Sequence, residues 1–378
     1  MARLILFDTS NFNDYPIGGQ VTSIKNFLRF VGENYQNHLQ DILLVGVTKD
    51  SQNLGKVLQI NTAAGILNFV PVALAGQNLN KVKKSLRLEY LKGLYKYRKV
   101  IGINRQDCLY LHTPEAFAFT HVVAPKNVCF VFSHGSYFNT TGDVRFFKGS
   151  PVVLLAFKQL LMLVIKKATA IFVLDVETQN KYKKINPNTI CVGNSIVCQD
   201  AIKTNAIDEK CPKLLFVGRL SRVKNIEPII EATIEYEPDC RLKIIGAGEL
   251  MDELRQKTND RVEFVGAVPH DDVKKYMQKS DILIMNSIHE GIPMTILEGL
   301  SVGLPIVTTD VGGIGQVVDY GVDSEKTDGT VISIITAIKR IVSKYDFYSN
   351  NAFKNSFKFD YKVVNKEVFS VINKYLMW

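Results

Sequence analysis

Short apolar runs of strand length recur along the chain at 4–7, 42–47, 108–111, 128–132 and 170–174, and again at 213–217, 241–245, 261–265, 281–285 and 305–308. Segments with helical spacing separate them, and this alternation predicts parallel sheets covered by helices. Several runs are apolar at nearly every position, as expected where both faces of a sheet are buried. The polar, weakly patterned stretch 198–212 divides the two series and reads as a linker. The fold class is therefore α/β, with two Rossmann-like domains, 1–198 and 199–350, facing each other across a cleft and binding ligands at the carboxyl ends of their strands. In the tail 357–378, Val363, Val364, Val368, Phe369, Ile372 and Leu376 fall near helical spacing, so the segment 351–378 is expected to be helical and to pack back on the first domain.

A length of 378 residues suits two such domains. A composition 46% hydrophobic and 22% charged excludes a disordered or fibrous chain. The six cysteines form no C-x-x-C pair and have no histidine at metal spacing, so neither a zinc site nor a disulfide scaffold is indicated. No apolar run reaches the roughly 18 residues of a membrane span. The first run ends in Asp8 with no cleavage pattern behind it, and a cytoplasmic location is expected.

The net charge of +9 changes this picture, because the excess lies wholly in the first 200 residues. Lys81, Lys83, Lys84, Arg87, Lys92, Lys96, Arg98, Lys99 and Arg105 stand there against one acid, Glu89. Between 86 and 100 the cations alternate with Leu88, Tyr90, Leu91, Leu94, Tyr95 and Tyr97, which suits an amphipathic helix at an anionic membrane surface. Cations among tyrosines also suit RNA, and a solvated helix face is the third reading. The membrane is preferred here and no nucleic acid is expected.

The densest chemistry lies in 281–313. A strand ending near Asn286 runs through Ser287, His289, Glu290, Gly291, Ile292 and Pro293 into a helix, with Pro293 in its first turn. Such a helix start offers free N–H groups and partial positive charge, a good place for a diphosphate. Gly291 lets the backbone come close, and Glu290 and Glu298 can flank one elongated ligand. A second element, Gly218-Arg219-Leu220, follows a strand, with Lys224 beyond it; two cations beside a diphosphate would neutralise charge as the bond to an anomeric carbon breaks. Taken singly, each of these is more often a solvated surface feature. The Gly246-Ala247-Gly248 turn lacks the third glycine of a dinucleotide fingerprint, since Met251 stands there, which speaks against NAD.

The order Gly218-Arg219-Leu220 with Lys224-Asn225, Ile245-Gly246-Ala247-Gly248, Val265-Gly266 with Val268-Pro269-His270, Ser287 and His289-Glu290-Gly291 to Glu298, Gly303-Leu304-Pro305-Ile306-Val307, and Val311-Gly312-Gly313 resembles the GT4 family of retaining glycosyltransferases, the group 1 glycosyl transferases of GT-B fold. The resemblance implies that Glu290 contacts the donor sugar, Glu298 the ribose, and Arg219 and Lys224 the diphosphate. Val265 and Gly266 would lie beside the base, with Gly218, Gly246, Gly291, Ile292, Met294 and Thr295 completing the donor site. In the first domain, Gly18 and Gly19 of Pro16-Ile17-Gly18-Gly19-Gln20 would approach the donor phosphates and the acceptor, although a plain strand-to-helix turn reads almost as well. His134 in Ser133-His134-Gly135 would line the catalytic centre near the sugar, whereas His112, which also ends a strand and could line the acceptor cleft, reads better as structural. Asn194-Ser195-Ile196 resembles the family's Asn-Gly-Ile segment, with Ser195 departing from it.

The activity implied is a retaining transfer without metal or other cofactor, from a nucleotide-diphosphate sugar to a glycan or lipid-linked glycan acceptor in cell-surface polysaccharide biosynthesis. Same-face attack assisted by the departing phosphate is favoured, since no enzymic nucleophile is evident. Another GT-B activity, such as a nucleotide-sugar epimerase or glycan phosphorylase, and a catalytically silent partner subunit remain as alternatives. After 317–321, where the family has a strand, 323–328 is short and polar, so an edge strand is expected to be shortened or lost.

Overall fold

The structure, a computed structural model, describes residues 2–13, 15, 19–75, 86–134, 151–202 and 207–378. Gly18, Gly135, Lys81, Lys83, Lys84 and residues 203–206 of the expected linker lie outside the described residues. The chain divides into two compact units, Met1–Gly193 with Val364–Trp378, and Asn194–Val363.

The strands of the first unit are β1 (Leu4–Phe7), β2 (Ile42–Thr48), β3 (Leu58–Thr62), β4 (Gly65–Leu74), β5 (Cys108–Leu111), β6 (Cys129–Ser133), β7 (Ala170–Val173) and β8 (Thr189–Cys191). They form one sheet in the order β3-β4-β2-β1-β5-β6-β7-β8. Every neighbouring pair is parallel except the hairpin β3–β4. Its helices are α1 (Gly19–Asn34), α2 (Leu86–Lys96), α3 (Arg98–Ile101), α4 (Pro114–Val123), α5 (Pro151–Lys167) and α6 (Val176–Lys183). Helix starts follow their chemistry: Thr113 caps α4 just before Pro114, and the Asp175 carboxylate accepts from the Thr178 N–H at the start of α6. In α2 the apolar positions serve the core. Tyr90 and Leu94 are buried, Leu91 and Tyr95 pack against them, and Arg87, Lys92 and Lys96 are exposed with Leu88.

The second unit carries β9 (Lys213–Val217), β10 (Arg241–Ile245), β11 (Val262–Gly266), β12 (Ile282–Met285), β13 (Ile306–Thr309) and β14 (Ser324–Thr327), ordered β11-β10-β9-β12-β13-β14 and parallel throughout. Its helices are α7 (Glu227–Glu235), α8 (Met251–Arg255), α9 (His270–Lys279), α10 (Met294–Ser301), α11 (Val331–Ser343) and α12 (Tyr345–Ser356). Strand residues alternate between two cores. Leu214, Phe216, Leu242, Ile244, Ile282 and Ile284 pack with Ile229 and Ile230 of α7 and Ile338 and Ile341 of α11, while Leu215, Ile245, Leu283 and Met285 pack with Ile296 and Leu300 of α10. That division explains why these strands are apolar at consecutive positions.

Four details depart from the sequence reading. The edge strand is not lost: β14 forms over Ser324–Thr327, paired along its length with β13. Its polar residues are held from within, since Glu325 accepts from the Tyr348 hydroxyl and from Arg340 at 3.2 Å. Pro293 precedes α10 as its cap residue rather than sitting in the first turn. The segment 351–378 divides, because the end of α12 contributes Ala352 to the second unit's core and the Asn355 amide donates to the Val317 carbonyl there at 3.0 Å. Only α13 (Tyr361–Leu376), from Val364 onward, belongs to the first unit, where Phe369 meets Phe27, Phe30 and Tyr35. Finally, the first unit begins to give way to the second before Asn194, not after 198, because Ile196 bridges to Asp360 and the Asn194 amide bonds the Ile292 carbonyl.

Candidate active site

In a doubly wound sheet, ligands bind where successive connections leave in opposite directions, outside the carboxyl ends of the strands. In the second unit the chain passes from β9 to β10 and β11 on one side, then returns to β12 on the other. The switch point therefore lies between β9 and β12. The loops that leave those two strands carry Lys224 and Glu290, and the Lys224 ammonium meets the Glu290 carboxylate directly. Both groups are partly solvated, at 20% and 13% side-chain exposure, and so are open to a ligand.

Several bonds fix the two loops in register. The Ile288 N–H donates to the Val223 carbonyl at 2.8 Å, and the Asn286 amide reaches the Asn225 and Gly329 carbonyls at 3.2 Å each. Asn225 holds a left-handed φ of 46°, which ends the turn that presents Lys224. The Ser287 hydroxyl donates to Glu290 Oε1 at 2.6 Å, and Thr309 at the end of β13 donates to the Ser287 carbonyl at 2.7 Å. Behind the glutamate, Gly312 has φ +61° and lies where any side chain would strike the Glu290 carbonyl; the Gly313 N–H donates to the Gly291 carbonyl at 3.0 Å. On the other side of β9, Gly218 and Gly246 touch backbone to backbone, and the Gly246 N–H donates to the Gly266 carbonyl at 2.9 Å. The glycines thus form a side-chain-free floor across the ends of β9, β10 and β11, bordered by the half-exposed Val265.

Immediately after Glu290 come exposed Gly291, buried Ile292 and the start of α10, whose first residues Met294 and Thr295 are partly exposed. The opening N–H groups of such a helix have no carbonyl one turn before them, so they face outward as donors. Glu298 lies more than a turn further in and does not join Glu290. Its Oε1 is 3.4 Å from His270 Nε2 at the start of α9. Burial pushes the Glu298 carboxyl up, and His270 and Lys274 pull it back down. Arg219 also stands apart from Glu290, paired with Glu249 at 3.3 Å where both side chains are well exposed.

The first unit repeats the arrangement with other residues. Its chain leaves β1 for β2 and later returns to β5 on the opposite side, so its switch point lies between β1 and β5. Asp8 ends β1 and His112 ends β5, both fully enclosed. Gln20, one residue into α1 after Gly19, donates its amide to Asp8 Oδ1, while Asp8 Oδ2 has no partner among the described residues. Burial raises the Asp8 carboxyl to about 6. His134, just beyond β6, places Nε2 2.7 Å from Nδ1 of His112. The structure brings His134 against His112 and sets Gln20, beside Gly19, against Asp8, a residue with no motif in the sequence to mark it. The available signal was an acid and a histidine each closing an apolar run; which strands lie side by side was not legible. Among the described residues no three His, Cys, Asp or Glu side chains gather so as to hold a metal ion.

Two α/β units, each built on a largely parallel sheet with polar loops at the strand ends, are the architecture of the GT-B class. Residues 199–354 match the family described as glycosyl transferases group 1. The fold is similar over its whole length to sucrose-phosphate synthase of Thermosynechococcus elongatus, with a TM-score of 0.78, 14% identity and 100% of each chain covered. It is also similar to Anabaena HepE in complex with UDP-glucose, with a TM-score of 0.66, 15% identity, and 99% of this chain and 100% of that one covered. Among curated proteins it is 28% identical over 176 residues to the O-antigen biosynthesis glycosyltransferase WbnH of Escherichia coli, covering 46% of this chain and 49% of WbnH. The matched part spans about half the length or less of the curated relatives.

Proposed function

We propose that the protein is a retaining glycosyltransferase of the GT4 type that moves a hexosyl group from a nucleotide-diphosphate sugar to a glycan or lipid-linked glycan in cell-surface polysaccharide biosynthesis. The observation that carries this reading is the meeting of Lys224 and Glu290 at the switch point of the second unit, beside the outward-facing N–H groups of α10. A cation and helix N–H groups suit a diphosphate, and a carboxylate suits sugar hydroxyls. The family match of the second unit and the UDP-glucose bound by HepE agree with a nucleotide-sugar donor.

In this reading Lys224 and Arg219 take the diphosphate, Glu290 the sugar hydroxyls and Glu298 the ribose. The acceptor oxygen attacks the anomeric carbon on the face from which the diphosphate leaves. The bond from that carbon to the phosphate oxygen breaks, and the acceptor proton passes to the departing phosphate. Charge that develops on the phosphate is neutralised by the two cations and the helix start, with no metal ion required. The exposed cations of α2 and α3, Arg87, Lys92, Lys96, Arg98 and Lys99, interrupted by exposed Leu88 and Val100, suit the anionic cytoplasmic leaflet where a lipid-linked acceptor would be met.

Nuclear magnetic resonance of the product tests the stereochemistry. The anomeric configuration of the donor is expected in the product, and an inverted linkage would overturn the retaining assignment.

A further inference from the structure

His112 is 4% exposed at the end of β5, with the Tyr110 ring edge-on at 4.6 Å and the Phe132 ring stacked at 5.5 Å. Its Nδ1 lies 2.7 Å from Nε2 of His134, so one proton sits between the two rings. Its Nε2 is buried and has no hydrogen-bond partner among the described residues. Two neutral arrangements satisfy the shared bond. In one, His134 Nε2–H donates to His112 Nδ1, and His112 then carries its own proton on Nε2, an N–H enclosed with no acceptor. In the other, His112 Nδ1–H donates to His134 Nε2, and only a bare lone pair is left at His112 Nε2. Among backbone groups a buried N–H without a partner is rarer than an under-satisfied acceptor, and the same preference applied here selects the second arrangement.

Charging either ring does not offer a third solution. A doubly protonated pair would set two N–H groups against each other at 2.7 Å. Burial lowers both histidines, His134 to about 3, and His134 also disfavours charge on His112. Among the described residues, Tyr110, kept neutral by burial, packs against His112, and Asp8 at the end of the neighbouring β1 is engaged by Gln20.

We propose that His112 is a positioning residue that locks His134 in the tautomer protonated on Nδ1, so that His134 offers its ligand a hydrogen-bond donor and never a base. The proposal rests on the glycosyltransferase reading above for the chemistry of the ligand that His134 meets. A fixed Nδ1–H suits a sugar hydroxyl or phosphate oxygen and keeps that bond unchanged across the physiological pH range.

Long-range 1H–15N correlation spectra of the full chain with 15N-labelled histidine, assigned with His134→Ala, read the tautomer without any need for turnover. Protonated Nδ1 and bare Nε2 are expected on His134 at every pH from about 5 to 9. His112→Leu should let His134 protonate Nε2 and lower kcat about tenfold or more at nearly constant KM. His112→Asn, whose amide N–H stands near the lost Nδ1–H, should restore both the tautomer and most of kcat. Circular dichroism checks that both variants are folded, and the wild-type spectrum needs no variant. Nε2–H on wild-type His134, or a tautomer unmoved in a folded His112→Leu, overturns the lock. If the tautomers are as expected but kcat is unmoved in both His112→Leu and His134→Ala, the lock stands and a role for His134 in the transfer is overturned.

Discussion

Gly312 lies so close to Glu290 that a Cβ added to it would sit 1.8 Å from the Glu290 carbonyl oxygen, and its φ of +61° is one that side chains resist. Gly291, one residue along, faces open space. The two glycines are therefore expected to part company on substitution. Gly312→Ala should push the Glu290 loop away, lowering stability by about 1–3 kcal/mol and weakening donor binding. Gly291→Ala should leave the melting temperature nearly unchanged and raise only the donor KM, since its Cβ would stand where the ligand backbone approach occurs. Thermal melts and donor titrations of both variants check this. Equal stability losses would mean that the loop contact has no special role.

Lys224→Ala and Glu290→Gln each remove one side of the central contact. Each is expected to reduce kcat/KM by about 10²–10³, the range seen when one preorganised charge stabiliser is lost. Because both side chains are partly solvated, the accompanying loss of stability should stay near 1 kcal/mol or less. Full activity in either folded variant would remove the contact from the reacting centre.

The Asp8 carboxyl gives a pH signature. Its value in the folded chain is about 6 against an ordinary 3.8. Between these limits the folded state holds more protons than the unfolded one. Stability should therefore be greatest below about pH 4, fall as pH rises to about 6, and level off above it, by up to about 3 kcal/mol in total. Asp8→Asn keeps the acceptor for Gln20 and removes the charge. Chemical denaturation from pH 4 to 8 should show that slope in the wild type and not in the variant, with the variant the more stable at pH 7. A stability gain coupled to lost activity would mark a carboxylate retained for function.

Binding to vesicles should follow the exposed cations of α2 and α3. Vesicles containing phosphatidylserine should retain the protein at low salt and release it as ionic strength rises. Lys92→Glu with Lys96→Glu, both exposed, should weaken that retention while leaving transfer to a soluble acceptor unchanged. Binding that ignores both salt and these substitutions would assign the basic helices to solvent alone.

Much of the fold was legible because each central strand is buried on both faces and so announces itself as an unbroken apolar run. The hairpin β3–β4 was not, since β3 is half-exposed and polar through Gln59, Asn61 and Thr62, and β4 contains Pro71. The short β14 was hidden for a related reason: Ser324, Glu325 and Thr327 are polar yet buried, and their partners, such as Tyr348 for Glu325, are distant in sequence. In the site, the loop residues Lys224 and Glu290 could be marked from spacing, but not that they touch, which depends on β9 and β12 being neighbours. Asp8 and His112 carry little meaning in the sequence, because a lone acid or histidine at a strand end says nothing until the pairing of β1 with β5 places the two side by side.

The most direct test is a thermal shift with a panel of nucleoside diphosphates, run on the wild type and on Lys224→Ala. At a ligand concentration about a hundredfold above Kd, one member of the panel is expected to stabilise the wild type by about 2.7 kcal/mol, seen as a rise of several degrees in Tm, and to leave Lys224→Ala nearly unmoved. No shift with any diphosphate, or equal shifts in the two proteins, would contradict a donor site at the junction of Lys224 and Glu290.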